Sequence, residues 1–309
     1  MKKKSRFQKI LVSMKKHWML HLMALPAIAA VLLFNYVPMT GIVMAFQKMD
    51  FRFGPFTSPW VGLANFEYLF ASKDVWEITR NTVAYNAVFI FLNLVLSMGL
   101  AMIISELRWK RTAKTLQTML IMPHFLSIVA IAMAVYAFLR PEGGFINSIF
   151  GLGRFNWYGL EGKPFWPYLL VLINIWMAVG YGSIVYTGVI AGVSPEYYEA
   201  AAIDGASKLK QAWYITVPHL RAIMCINLIR SIGHLFTSNF GLFYNVPRDS
   251  GALLSVTQTL DTYIYRSLSI LQDPNKSTAA GLYQSLVGLV LVLIANWVVT
   301  KLDSDSALF

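Results

Sequence analysis

Six stretches of this chain carry almost no charge, and they leave it little choice of solvent. Residues 17–47, 81–105, 115–139, 164–195 and 277–300 contain no Asp, Glu, Lys or Arg, and 222–247 contain only Arg230. Ionisable side chains are costly at the centre of a bilayer, and a helix of about 20 apolar residues crosses the hydrocarbon core. Every run is long enough. The expected architecture is an all-α integral membrane protein with six transmembrane helices at about 17–38, 82–105, 115–139, 166–193, 218–244 and 278–300. Composition agrees, with 57% hydrophobic residues, 13% charged and a mean hydropathy of +0.54. Soluble domains carry about twice that share of charge.

Orientation follows from where the basic residues fall. With a cytoplasmic N-terminus, the inner segments 1–16, 106–114, 196–221 and 301–309 hold 15 Lys and Arg against 6 acids. The outer segments 48–80, 140–163 and 248–276 hold 10 against 9. Both termini are therefore expected in the cytoplasm. The net charge of +11 is a topology signal with some attraction to anionic lipid, rather than a nucleic-acid footprint. The start, MKKKSRFQK and an apolar run from His17 to about Pro38, is too long for a signal peptide's apolar core. It reads as an uncleaved first helix behind a basic N-terminal segment, 1–16. A tail follows at 302–309.

Several chemistries find no residues. The single cysteine, Cys225, permits no intramolecular disulfide or cysteine-built metal site. No nucleotide-binding G-x-x-x-x-G-K-[ST] occurs and no H-E-x-x-H, so neither an ATPase of its own nor a membrane enzyme acting on lipid or glycan is indicated. No cofactor is expected on this chain. Turn signals (Gly54-Pro55, Gly143-Gly144, Asp273-Pro274-Asn275) mark the outer loops. An amphipathic stretch from Val61 to Phe70 suggests a short interfacial helix.

The longest inner segment carries the most local information. Ser194 suits an N-cap, Pro195 the first helical position and Glu196 the positive end of the dipole. Gly205 can end the helix at positive φ. A second short helix is expected from Ala206 to about Val217, with Pro218 opening the next span. Such an alanine-faced helix either lies at the interface or docks in another protein's groove. In the second case Glu199 and Asp204 would bond donors at the rim and Tyr198 would fill a pocket.

Glu199-Ala200-Ala201, Asp204-Gly205-Ala206, Ile215 and Pro218 resemble the EAA loop of binding-protein-dependent ABC importer permeases. Val217 stands where leucine is usual. Ser58-Pro-Trp-Val-Gly-Leu-Ala-Asn-Phe66, Met122-Pro-His-Phe-Leu-Ser127 and Gly281-Leu-Tyr-Gln-Ser285 resemble the polysaccharide-type permeases, relatives of the maltose importer's membrane subunits. The resemblance implies a type I ABC importer permease fold over residues 17–301, with a coupling loop at 194–218, in a bacterial plasma membrane. It implies a heterodimer with a second permease, two ATPase subunits that bind ATP and Mg, an extracellular binding protein and an oligosaccharide substrate. Tyr198, Glu199, Ala200, Ala201, Asp204, Gly205 and Pro218 would form the coupling element. An importer for a non-sugar solute is the alternative within the same class.

Asn227, Arg230, Ser231, His234 and Ser238 fall on one face of the expected fifth helix. A polar stripe at membrane depth faces another helix or a water-filled cavity. Either Asn227, Ser231 and Ser238 join helices and Arg230 pairs with the second permease, or the stripe lines the path. In the second case Arg230 and His234 would meet an acidic group, and a uronate fits a guanidinium's paired donors. Asn174, Tyr181 and Tyr186 on the fourth helix and Tyr283 and Gln284 on the sixth are further candidates. His124, beside Pro123, is expected to satisfy local backbone. His21 and His219 lie near membrane edges.

Overall fold

The computed structural model describes residues 16–50, 52–54, 57–107 and 109–302, the side chains of 298, 299 and 302 excepted. The basic N-terminal segment and the C-terminal tail lie almost wholly outside the described residues. What is described is helical apart from loops and one isolated bridge between Gln47 and Trp60.

The first apolar run forms one rod, α1 (Trp18–Phe46), with none of its most apolar stretch buried inside the chain. It passes through a π turn at Leu32–Tyr36 and ends as a 3-10 stretch, Thr40–Phe46. A short helix, α2 (Ala64–Ala71), lies in the stretch where an interfacial helix is expected. Asn65 fixes α2 to the end of α1 by donating to the carbonyls of Ala45 and Gln47, both at 2.9 Å. Next comes α3 (Lys73–Ser105), whose N-cap Ser72 accepts from the Asp74 amide at 3.2 Å.

The third apolar run is broken. A helix, α4 (Lys110–Phe125, its last turn 3-10), meets α5 (Ile128–Leu139) at a bend of 95°. Pro123 lacks an N–H, and Leu126 and Ser127 are extended with ψ of 138° and 133°, which carries the chain out of the helix. A short α6 (Phe145–Phe150) lies in the following loop. Then come α7 (Trp166–Ala191), α8 (Pro195–Ile203) and α9 (Lys208–Gly233). Short helices α10 (Phe240–Asn245), α11 (Leu254–Thr257) and α12 (Leu260–Ser269) precede α13 (Pro274–Leu302). Five helices, α1, α3, α7, α9 and α13, are long and apolar enough to cross a membrane, and the bent α4–α5 pair makes up to six.

Two expectations need correction. No separate helix spans Ala206 to Val217. The helix starts at Lys208 and runs through Pro218, because the Val217 amide reaches back to the Ala212 carbonyl in a π turn and the His219 ring donates from Nδ1 to the Ile215 carbonyl at 2.6 Å. The fifth helix also ends at Gly233 rather than near 244. His234 leaves helical geometry (φ −100°, ψ 12°) and a turn follows.

Small residues on α7 set the packing of the bundle. A Cβ on Gly180 would lie 1.8 Å from the Leu120 carbonyl oxygen of α4, and one on Gly182 would lie 2.5 Å from Ser97 Oγ of α3. A cluster of Tyr85, Phe89, Ile131, Trp166, Leu170, Leu242 and Phe243 fills the core beneath α10.

The segment between α9 and α12 is held from α3. Asn86 donates from Nδ2 to the carbonyls of Leu235 (2.8 Å) and Thr237 (3.2 Å). Asn81 donates to those of Ser255 (3.0 Å) and Gln258 (3.2 Å), Tyr85 to Val256 (2.7 Å), and Thr82 Oγ1 accepts from the Leu260 amide (2.9 Å). Replacing Asn86 with Leu leaves two carbonyls without their donor, a loss of about 1–3 kcal/mol. The purified protein carrying Asn86→Leu should melt several degrees lower than the parent, and Val88→Leu on the exposed side of α3 should not.

Candidate functional site

The segment expected to couple is built by local rules. Ser194 is extended (ψ 130°) and Pro195 starts α8. At the other end the Ala206 amide bonds the Ala201 carbonyl (2.9 Å) and the Gly205 amide bonds the Ala202 carbonyl (3.1 Å), with Gly205 at φ +77°. This double closure with a left-handed glycine is a Schellman ending. Glu196, Glu199, Ala200 and Ile203 recur at helical spacing and are all exposed, Ile203 at 86%. Asp204 is exposed beside them. Tyr198 instead turns inward. Its hydroxyl lies 3.1 Å from Thr216 Oγ1 on α9, so it braces α8 against α9 and does not stand free to enter a partner's pocket. Behind α8 a cavity of about 710 Å³ is lined by Met102, Glu106, Thr187, Tyr198, Glu199 and Lys208. Lys208 closes one side through an ion pair with Glu106 at 2.9 Å.

The candidate path divides into free and tied groups. Asn227 Nδ2 lies 3.5 Å from the Tyr186 hydroxyl, joining α9 to α7. Arg230 follows on α9, exposed, with no carboxylate in ion-pair range among the described residues. Ser231 is half-buried and His234 is exposed at the C-cap of the helix. Tyr181, on α7, is 47% exposed and stacks on His124 at 4.1 Å and 6°. That contact joins α7 to the break in the third span, so His124 meets the rings of Tyr181 and Phe125, and the bond expected to its local backbone is not made among the described residues.

The other candidates are engaged inside the chain. Ser238 lies beyond the end of α9 and is buried. Its amide (2.6 Å) and its hydroxyl (2.8 Å) both donate to Asp261 Oδ2. The five-residue stripe is thus four residues long, because the turn after Gly233 takes Ser238 off the helix. Asn174 accepts from Asn93 at 2.9 Å. Tyr283 packs edge-on against Phe70 (5.3 Å) and Phe236 (6.2 Å). Gln284 donates to the Phe236 carbonyl (2.6 Å) and to Asp261 (3.1 Å).

Sequence reasoning passed over Asp261 and the Asn81–Thr82–Tyr85–Asn86 set. The second had a readable signal: polar residues at i, i+1, i+4 and i+5 at the edge of an apolar helix share one face. Gly180 is the tightest joint near this face, since the Leu120 carbonyl that an added methyl meets is backbone and cannot rotate away. Gly180→Ala should separate α4 from α7 and lower both thermal stability and transport, whereas Gly188→Ala, with open space around it, should do neither.

The family of binding-protein-dependent transport system inner membrane components matches residues 93–305. The chain is 33% identical over 306 residues to the polygalacturonan/rhamnogalacturonan transport system permease protein YteP of Bacillus subtilis, covering 98% of this chain and 94% of that one. It is 30% identical over 297 residues to protein LplB of the same organism, covering 96% and 92%. Among solved structures, a bacterial ABC transporter involved in the import of the acidic polysaccharide alginate aligns with a TM-score of 0.85 at 30% identity, over 96% of this chain and 99% of that one. The same type of transporter in complex with an alginate pentasaccharide-bound periplasmic protein aligns at 0.82 and 30%, over 94% and 96%. With a fold of apolar spans and no enzyme chemistry in its family, this multi-pass membrane chain is a transport subunit: it belongs to the binding-protein-dependent inner membrane components, the permeases of ABC importers.

Proposed function

We propose that this permease carries acidic oligosaccharides, forming half of a path through a bacterial plasma membrane. The observation that carries the reading is Arg230. It stands about 13 Å along α9 beyond Arg221 at the standard helical rise, exposed and without a carboxylate partner among the described residues. A guanidinium stays charged at any working pH, so it selects for an anion. A uronate supplies a carboxylate on a sugar ring. Two of the relatives above are named for galacturonan and alginate transport, which supports the same class.

In this reading a second, homologous permease completes the path, and an extracellular binding protein delivers the oligosaccharide. Two ATPase subunits bind ATP and Mg and meet α8 through Glu199, Ala200, Ala201 and Asp204, with Gly205 shaping the loop end. The excess of basic residues in the inner segments supports a cytoplasmic side for both termini. Arg230 binds the sugar's carboxylate, with Asn227, Ser231 and His234 along the same face of α9, and Tyr181 on α7, as partners for its hydroxyls.

Arg230→Gln in proteoliposomes should raise the KM for uronate oligosaccharides about tenfold to a hundredfold, the worth of a charged hydrogen bond of about 1.5–3 kcal/mol. A neutral oligosaccharide should be little affected, and equal loss for both would defeat charge recognition. Glu199→Ala and Gly205→Val should leave the permease in the membrane but abolish ATP hydrolysis stimulated by the loaded binding protein. Unchanged stimulation in both would remove α8 as the coupling element.

A further inference from the structure

Beyond the turn that ends α9, three aromatic rings form a face that neither the path residues nor the core absorbs. Phe240 and Tyr244, one turn apart on α10, are stacked at 5.0 Å and 15°. Tyr265 of α12 closes on both, at 4.9 Å from Phe240 and 5.0 Å from Tyr244. The opposite side of α10 fixes their direction: Leu242, Phe243 and Val246 are buried in the core with α5 and α7. Phe240 and Tyr244 stay half-buried and Tyr265 is 39% exposed.

Two observations argue against lipid as the occupant. The rings sit beside an ion pair, Arg266 with Asp249, and the Asp249 amide bonds the Tyr244 carbonyl at 3.1 Å. The face also belongs to short helices joined by irregular backbone, and such backbone does not meet hydrocarbon. The position ties it to the path. Phe240 is two residues past Ser238, and Tyr265 is one helical turn past Asp261, the carboxylate that accepts both Ser238 bonds. Arg230 and His234 precede that same turn on α9.

We infer that Phe240, Tyr244 and Tyr265 form a ring-stacking subsite for the pyranose units of the substrate, at the end of the path away from α8. The inference rests on the reading that the substrate is an oligosaccharide. A pyranose offers a flat C–H face to an aromatic ring, while the tyrosine hydroxyls and the neighbouring Arg266 offer polar contacts to its edge. Stacking of this kind reads the sugar ring and not its charge, so this face and Arg230 divide the recognition between them.

The test uses the complete importer in proteoliposomes, with oligogalacturonate and oligoalginate as probes. Phe240→Leu with Tyr265→Leu keeps two apolar side chains and removes two flat rings. It should raise the KM for uptake about tenfold, with unstimulated ATP hydrolysis and the yield of co-purified second permease unchanged. Tyr265→Phe, which keeps the ring, should stay near the parental KM. Three results would overturn the subsite: an unchanged KM in the leucine pair, loss of the second permease from the purified complex, or a Tyr265→Phe defect as large as that of the leucine pair. If the parental importer takes up neither probe, the acidic-oligosaccharide reading itself falls, and the subsite argued from it falls too.

Discussion

A buried peptide carbonyl released from a helix has to find a donor inside the protein, and most of this structure follows from how that is done between Gly233 and Leu260. A buried polar group left without a partner costs the full loss of its hydration. Here the carbonyls of residues 235 to 237, 255, 256 and 258 are taken by side chains of Asn86, Gln284, Asn81 and Tyr85, and the Leu260 amide by Thr82. The donors come from two long helices, α3 and α13, so the interrupted segment is clamped between them. Asp261 adds the joint that closes the clamp, accepting from Ser238 and Gln284 at once. With the turn fixed, α9 must stop at Gly233, and Arg230 and His234 come to lie at its end.

How much of this the sequence disclosed depends on how local each cause was. The apolar spans were legible because a single charge at depth is costly, and charges are easy to see. The loop around α8 was legible because its signals act over a few residues: Pro195 starts the helix and Gly205 ends it at positive φ. The end of α9 was not. Residues 234–244 are as apolar as a span requires, and the bonds that turn the chain there come from Asn86, about 150 positions earlier. Ser238 was misplaced for that reason alone. Pro123 marked a disturbance in the third span, yet nothing near it specified a bend of 95°. Pro218 misled in the opposite direction, since the π turn before it lets the helix continue.

That continuity changes how the two candidate sites relate. A short helix from Ala206 to about Val217 was expected to end before Pro218, which would open the path helix. In the structure the residues from Lys208 to Gly233 form one rod, roughly 39 Å long at the standard rise. Its first turns are held by Lys208–Glu106 and by Tyr198 against Thr216, and its other end carries Arg230 and His234. A displacement of α8 therefore reaches the path through a single element. The π turn at Ala212–Thr216 is the place where that element deviates from regular winding, and π turns recur at functional positions in helices.

The distribution of charge gives Arg230 its meaning. Arg266 is paired with Asp249, Lys276 with Asp273 and Lys208 with Glu106, while Asp261 accepts three hydrogen bonds. Each of these charges is spoken for by a neighbour fixed in the same fold. Arg230 has no such carboxylate among the described residues, and a guanidinium cannot escape its charge by losing a proton. Its surroundings must then supply water or an anion, because an unpaired cation facing hydrocarbon is costly. A resident carboxylate would satisfy that demand permanently and leave nothing for a substrate. A path that is wet when empty and receives a carboxylate in transit satisfies it at every stage. The one charge within an otherwise uncharged run thus calls for water, an anion in transit or a carboxylate of the second permease on that side of α9, independently of any resemblance to other proteins.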